Sequence, residues 1–507
     1  MEIEVKGKEK NYMSKVYLSK SKYCKAVQCN KILWMDKYKP EVAVQTARDT
    51  VLENGTKVGE LARNLFGNYI NIEYNKDLNV MVEETKNLLK DKPNIITEAS
   101  FNYDSNFCSV DILKNDIDGV EIYEVKSSTE VHDIYLDDAS YQYYVLKSLG
   151  INVKSVNIVY LNSEYVKNGD IELNKLFNIE DITYIAIRKL DEIKNKIEEI
   201  NKYMLENAEK EPEKDIDIYC FNPYECPYWK YCSRHLPQNN VFDIRIMHKN
   251  KKFDFYKKGI IKFEDIANED INPKYLEQVI FEINNKPPKI EIEKIREFMK
   301  ELTYPLYFLD FETFQLAIPE FDGTNPYMQI PFQYSLHYVN DKDGELYHKE
   351  FLAEAGCDPR RRLAERLIED IPTDACVLAY NMSFEKTVIN KLANYYEDLH
   401  DDLMKIHDNI KDLMIPFYNR DYYVREMKGS YSIKYVLPAL FPDDPDLDYH
   451  NLPVVHNGGE ASDAFLSLTN LSKEEQEKVR NGLLVYCKLD TYAMVKIWER
   501  LKKIIKY

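Results

Sequence analysis

Apolar and aromatic residues crowd positions 306–309 (Leu306, Tyr307, Phe308, Leu309), and that unbroken run predicts a buried strand. The same stretch, YFLDFETF, then admits two acids, Asp310 and Glu312. On a strand, positions i and i+2 face the same side, so the two carboxylates form a claw at the strand's end. Carboxylates are costly to bury unless they are paired or hold a metal. A second apolar run, 377–380, reads as a strand leading through Asn381 into a helix that carries Phe384 and Glu385. A third, LLVYCKLDTYAMVKIWERL, reads as a helix with Tyr486 and Asp490 four residues apart on one face. Nearer the start, SVDILKNDIDGVEIYEVKSS (109–128) holds two strand-like runs about an Asp/Gly turn. Asp111 lies on the first run, and Glu124 and Lys126 share a face of the second.

The pattern divides the chain into three blocks. Residues 1–240 mix helix-like and strand-like segments and end in a cysteine cluster. Residues 241–300 are charged, with helical spacing in NPKYLEQVIFEI and IEKIREFMKEL, and NNKPPK between them breaks any helix. This block is expected to be a helical connector. Residues 301–507 begin at the claw strand and end in the helix DTYAMVKIWERLKKIIKY. The stretch PDDPDLDYHNLP, 442–453, is expected as a loop from its Pro and Asp content. There is no internal repeat.

A chain of 507 residues exceeds one ordinary core, so two or three domains are expected, of α/β class. With 30% charged and 44% hydrophobic residues it reads as soluble and globular. It has no apolar stretch of membrane-spanning length and no hydrophobic leader core near its start, so a cytoplasmic protein without membrane partners is expected. A net charge of −18 argues against a general polyanion binder, yet nucleic-acid contact needs only a local basic groove. The 40 tyrosines, with abundant Lys, Asn and Ile, fit an AT-rich genome. Nine cysteines, an odd count, argue against a disulfide framework. Cys108, Cys357, Cys376 and Cys487 are scattered and read as small core residues, whereas Cys220, Cys226 and Cys232 cluster at intervals of six, with Cys24 and Cys29 near the start.

Two-metal phosphoryl transfer needs several carboxylates around ions roughly 3.5–4 Å apart. Asp310, Glu312, Glu385 and Asp490 supply four, with Tyr486 beside them to orient a water. The set resembles the DnaQ-like 3′→5′ exonucleases of the DEDD class, over residues 301–507. DFET resembles the family's first motif. NMSFE resembles the second, with Glu385 in place of the usual Asp. YCKLD resembles the third in its tyrosine form, since position 485 is Val485 and not His. Asp412 and the segment 429–438 resemble what lies between the second and third motifs. The resemblance implies an RNase H-like domain holding Mg²⁺ or Mn²⁺ through those four acids.

In the first block, two acids can hold Mg²⁺ and an adjacent lysine can stabilise developing phosphate charge, although a Glu-x-Lys pair also suits a plain strand surface. The arrangement of Asp111, Glu124 and Lys126 resembles the RecB-like PD-(D/E)xK nucleases, of the CRISPR-associated iron–sulfur type. Gln142, in ASYQYYVLKSLG, fits that family's glutamine, and GTKVGELARNLF (55–66) fits its preceding helix. Gly59 stands where the family has a histidine and Leu146 where it has a tyrosine, and the resemblance leaves Glu60 to replace the missing metal ligand. A restriction-endonuclease-like domain is implied. Four thiolates can hold an iron–sulfur cluster or zinc. The resemblance implies a [4Fe–4S] cluster on Cys29, Cys220, Cys226 and Cys232, with zinc as the alternative metal and Cys24 as the alternative fourth thiol. The expected whole is a fusion of two metal-dependent nucleases acting on nucleic acid, DNA before RNA. An RNA-processing exonuclease and a non-catalytic nucleic-acid-binding protein are the alternatives.

Overall fold

The computed structural model describes residues 15–45 and 49–506 and is mixed α/β. The start of the chain, through residue 14, was read above for a leader and lies outside the described residues. The chain forms two compact units: the first runs through His235 and includes Ala317–Pro326, and the second comprises Leu236–Leu316 with Tyr327–Tyr507. The block 241–300, expected as a helical connector, falls within the second unit. Its apolar side chains, among them Val241, Ile244, Phe263 and Val279, bury one another in a core of their own. Residues 317–326 depart from the expected boundary in the other direction. Within the first unit, Lys167 pairs with Asp322 at 2.8 Å and Asn325 donates to the Ser163 carbonyl at 2.9 Å.

The first unit is built on seven strands: β1 (Leu18–Ser19), β2 (Ile70–Asn71), β3 (Asn94–Tyr103), β4 (Asn106–Asp116), β5 (Gly119–Lys126), β6 (Val153–Leu161) and β7 (Phe177–Asp181). They pair in the order β2-β3-β4-β5-β6-β7, and β1 lies parallel to β4. β4 and β5 form the antiparallel hairpin that the Asp/Gly turn predicts. Gly119, at φ +145°, admits no side chain, because a β-carbon there would meet the Asn152 carbonyl at 2.5 Å. The helix Asp133–Ser148 then crosses over to β6, which runs parallel to β5. Val110 and Ile112 are buried on one face of β4, and alternation turns Asp111 to the other.

The second unit carries β8 (Lys289–Ile290), β9 (Leu306–Phe314), β10 (Ile330–Val339), β11 (Leu346–Leu352), β12 (Cys376–Ala379), β13 (Ile410–Asp412) and β14 (Tyr422–Tyr423). Five of them pair in the order β11-β10-β9-β12-β13, and β8 pairs with β14. β9, predicted from its apolar run, sits centrally, antiparallel to β10 and parallel to β12. Tyr307, Leu309 and Phe311 enter a core with Leu363, Leu367, Val388 and Leu392. Phe308 faces the other way, its ring 5.6 Å from Trp498 of the long helix Lys473–Lys506. Asp310 and Glu312 follow Phe308 on that second face. Among the described residues, no helix is long and apolar enough to cross a membrane.

Candidate metal centres

In the second unit, three acids from two elements converge. Asp310 and Glu312 from β9 and Asp490 from the long helix each bring one carboxylate oxygen to within 4.8 Å of the others. Among the described residues, no lysine or arginine forms an ion pair with any of the three. Burial, then Asp490, Glu312 and Glu385, push the Asp310 carboxyl well above the usual carboxylate range. Burial also raises Glu312 and lifts Asp490 to about 6. Tyr449 donates a hydrogen bond of 2.7 Å to Asp490 Oδ1, and the Tyr486 hydroxyl also bonds Asp490 and works against that rise. Tyr486 is buried, and its hydroxyl is pushed up by burial and by Asp490, so it remains a donor.

Glu385 reaches the cleft from another direction. Asn381 takes a left-handed turn (φ +71°) that asparagine tolerates, and Asp412 pins it by accepting from the Asn381 and Met382 backbone N–H groups at 3.0 and 3.2 Å. The helix Ser383–Tyr395 starts from that turn and carries Glu385 in its first turn. Asp412 is thus a positioning residue. Glu385 is 2% exposed, its Oε2 has no hydrogen-bond partner among the described residues, and burial, with Asp412, raises it to about 8. It does not join the 4.8 Å group of Asp310, Glu312 and Asp490, yet its charge is felt by Asp310 and Glu312.

Several neighbours escaped the sequence reading. The stretch expected as a loop folds into short turns, Pro445–Leu447 and Tyr449–Asn451, and buries Tyr449 against the acids. The Gly458 backbone passes so near Glu312 that a β-carbon there would lie 3.3 Å from Oε2. Lys434 lowers both Glu312 and Asp490 from a distance, without pairing. Cys487, read as a small core residue, is buried with its sulfur 3.8 Å from Asp310 Oδ2.

The first unit holds a different kind of centre. Lys126 bonds Glu124 Oε1 at 2.8 Å and Asp138 at 2.6 Å, and Gln142 donates to Glu124 Oε2 at 2.6 Å. Asp111 accepts from the Val125 N–H at 2.7 Å. Burial and Glu124 raise Asp111 to about 7, whereas Lys126 and Lys20 overcome burial to hold Glu124 below the usual range. Asp138 was missed although it lies one helical turn before Gln142, a spacing that could have found it. Lys20 was missed entirely: it bonds Glu124 at 2.9 and 3.0 Å and Asp111 at 3.3 Å. Glu60 and Gly59 line the same cleft, about 400 Å³ in volume, together with Glu98 and Arg63, which pair at 3.0 Å. Glu60 is exposed there, and Leu146 is buried in the core.

Cys29, Cys220, Cys226 and Cys232 all line one cavity, with Ile32, Met35, Ile216, Tyr228 and Trp229 around them. Burial raises Cys220 to about 12 and Cys226 to about 11; Cys220 feels the other three thiols, and Cys226 feels Cys232 and Cys29. No three of the sulfurs lie within 4.8 Å of one another among the described residues. Cys24 does not line this cavity; burial raises its thiol, and Asp138 and Lys126 act on it from the acid centre.

A family model described as "Domain of unknown function (DUF2779)" matches residues 307–432. That span contains Asp310, Glu312 and Glu385 and stops before Tyr449 and Asp490. The chain is similar to an uncharacterized protein, UU173, of Ureaplasma parvum serovar 3, with 25% identity over 299 residues. The match covers 54% of this chain and 42% of the relative, so the chain spans less than half of that protein's length. No solved structure matches the chain significantly.

Proposed function

We propose that the chain is a metal-dependent nuclease whose second unit hydrolyses phosphodiester bonds, removing nucleotides from the 3′ end, and whose first unit carries a second nuclease centre. The observation that carries this reading is the buried acid cluster of Asp310, Glu312 and Asp490, to which no lysine or arginine among the described residues is paired. At an effective dielectric constant near 20, two unit charges at that spacing repel by about 3.5 kcal/mol. A fold keeps such a cluster when a cation joins it. The donor set is all oxygen, which suits Mg²⁺ or Mn²⁺. The strand order around β9, three antiparallel strands followed by two parallel ones, agrees with the RNase H-like expectation.

Asp310, Glu312 and Asp490 would hold the metal, with Glu385 facing them as a further ligand. When bound, such ions lower the pKa of a water and neutralise charge on the transferring phosphoryl group. Tyr449 fixes the orientation of Asp490, and Tyr486, protonated and beside Asp490, is placed to donate to a water. Lys434, whose charge acts on Glu312 and Asp490, would supply a positive charge to a phosphate oxygen. In the first unit, Asp111 and Glu124 are the metal ligands of the proposed RecB-like centre, Lys126 is its cation and Gln142 holds Glu124.

The four cysteines support a [4Fe–4S] cluster over zinc. Tetrahedral zinc needs sulfurs about 3.8 Å apart. Among the described residues no three of these sulfurs come within 4.8 Å of one another, and all four cysteines line one cavity. The cluster would tie the segment around Cys29 to that around Cys220–Cys232. DNA is the proposed polymer, and a cytoplasmic setting accords with the thiols. Degradation of matched DNA and RNA single strands in Mn²⁺ tests the choice: faster loss of DNA is expected, and a strict preference for RNA would replace it with the RNA-processing reading.

A further inference from the structure

Lys20 occupies the position that the acid pair of the first unit offers to a cation. Its Nζ lies 2.9 and 3.0 Å from the two Glu124 oxygens and 3.3 Å from Asp111 Oδ1. The placement is built rather than incidental. Leu18 and Ser19 pair with Asn106 and Phe107 of β4, which carries Asp111. The Leu18 N–H donates to the Ser105 carbonyl at 2.9 Å, and the Tyr141 hydroxyl donates to the Leu18 carbonyl at 3.1 Å. Ser19 caps the helix Lys20–Gln28, and Tyr23 of that helix stacks on Tyr141 with ring centroids 4.6 Å apart. Strand, cap and stack together hold Lys20 over the carboxylates.

The two centres of the chain therefore differ in charge. Asp111, Glu124 and Asp138 face two bonded ammonium groups, Lys20 and Lys126. Among the described residues, Asp310, Glu312 and Asp490 face none at pairing distance. An ammonium and a divalent ion cannot share one pair of carboxylates at 3 Å separations, since their like charges would repel and would compete for the same oxygens.

We propose that Lys20 is a built-in cation that closes the first unit's carboxylate pair, so that divalent metal enters this centre only as the Lys20 ammonium leaves it. The inference rests on reading Asp111 and Glu124 as a metal centre. It makes the second unit's acid cluster the open metal site of the free chain and the first unit's centre a latent one. If the centre is closed more than nine-tenths of the time, its apparent metal affinity is weakened at least about tenfold.

The test uses Mn²⁺ alone, titrated by calorimetry into the full chain carrying Asp310→Asn to remove uptake by the second unit. Adding Lys20→Met should create a Mn²⁺ site at least about tenfold tighter than the parent's, and further addition of Asp111→Asn should abolish it. Lys20→Arg, which keeps the cation, should gain nothing. Lys20→Gln repeats the measurement with a polar side chain should Lys20→Met fail to fold. Equal Mn²⁺ binding with and without Lys20→Met or Lys20→Gln would overturn the proposal, as would tight uptake through Asp111 while Lys20 is present. Failure of the nuclease reading is read separately, as Mn²⁺ uptake by the wild-type chain that persists unchanged when Asp310→Asn and Asp111→Asn are combined.

Discussion

Replacing Asp490 with Asn removes one charge while keeping shape, and so separates an acid kept for a cation from one kept for the fold. Asp310, Glu312 and Asp490 hold oxygens within 4.8 Å of one another, with no lysine or arginine among the described residues paired to them. Each ionised pair at that distance costs about 3.5 kcal/mol at an effective dielectric constant of 20. The cluster can escape by taking up protons, at about 1.4 kcal/mol for each pH unit above the ordinary carboxyl range. Near pH 8 neither course is cheap, so metal-free Asp490→Asn should exceed wild type in stability by about 2–4 kcal/mol, or roughly 5–15 °C in melting temperature. The pH dependence has a definite sign. Burial raises the folded Asp490 carboxyl from 3.8 to about 6, so within that window the folded state binds more protons than the unfolded one. Wild-type stability therefore falls as pH rises through the window, and the variant's advantage grows. Mn²⁺ should reverse the ranking, raising the wild-type melting temperature and leaving Asp490→Asn nearly unmoved. Thermal unfolding at pH 5 and pH 8, in chelator and in Mn²⁺, reads both effects. A variant less stable than wild type in chelator, yet still stabilised by Mn²⁺, would refute the reasoning.

Mn²⁺ binding by the wild-type chain should tighten between about pH 6 and pH 8 and release protons, because metal must displace them from Asp490, at about 6, and Glu385, at about 8. Calorimetry in two buffers of different ionisation enthalpy would show no difference if that expectation is wrong. Tyr449→Phe removes the 2.7 Å hydrogen bond to Asp490, which should cost about 1.5–3 kcal/mol of metal-site integrity and move the pH profile of Mn²⁺ binding upward. An unshifted profile would count against a positioning role. Cys226→Ser should strip iron and colour from protein purified without oxygen, whereas Cys24→Ser should retain both, since Cys24 does not line the cavity. Wild-type protein that is colourless and carries zinc would contradict the cluster assignment.

The local parts of this picture were legible because each rests on short-range periodicity. The apolar run 306–309 announced β9, and period two put Asp310 and Glu312 on one face of it. The Asp/Gly turn announced the β4–β5 hairpin. Spacing on a helix paired Tyr486 with Asp490. The remainder depends on contacts between residues far apart in sequence, and no window of the chain contains them. Lys20 meets Asp111 and Glu124 only because β1 pairs with β4. Tyr449 lies in a stretch whose Pro and Asp content announced only a loop, and its hydrogen bond to Asp490 crosses 41 positions. The block 241–300 read as a connector because its charge hid how many apolar side chains it turns inward.

The central claim is that the acid cluster of the second unit cuts nucleic acid from its 3′ end. The direct measurement is digestion of 5′-labelled single-stranded DNA and RNA in Mn²⁺ by wild type and by Asp310→Asn. The account predicts a ladder shortening from the 3′ end with wild type, and a loss of at least about 10³-fold in the variant, as removal of a metal ligand implies. Equal cleavage by the two proteins, or no cleavage of either polymer by wild type with Mn²⁺ bound, would contradict it.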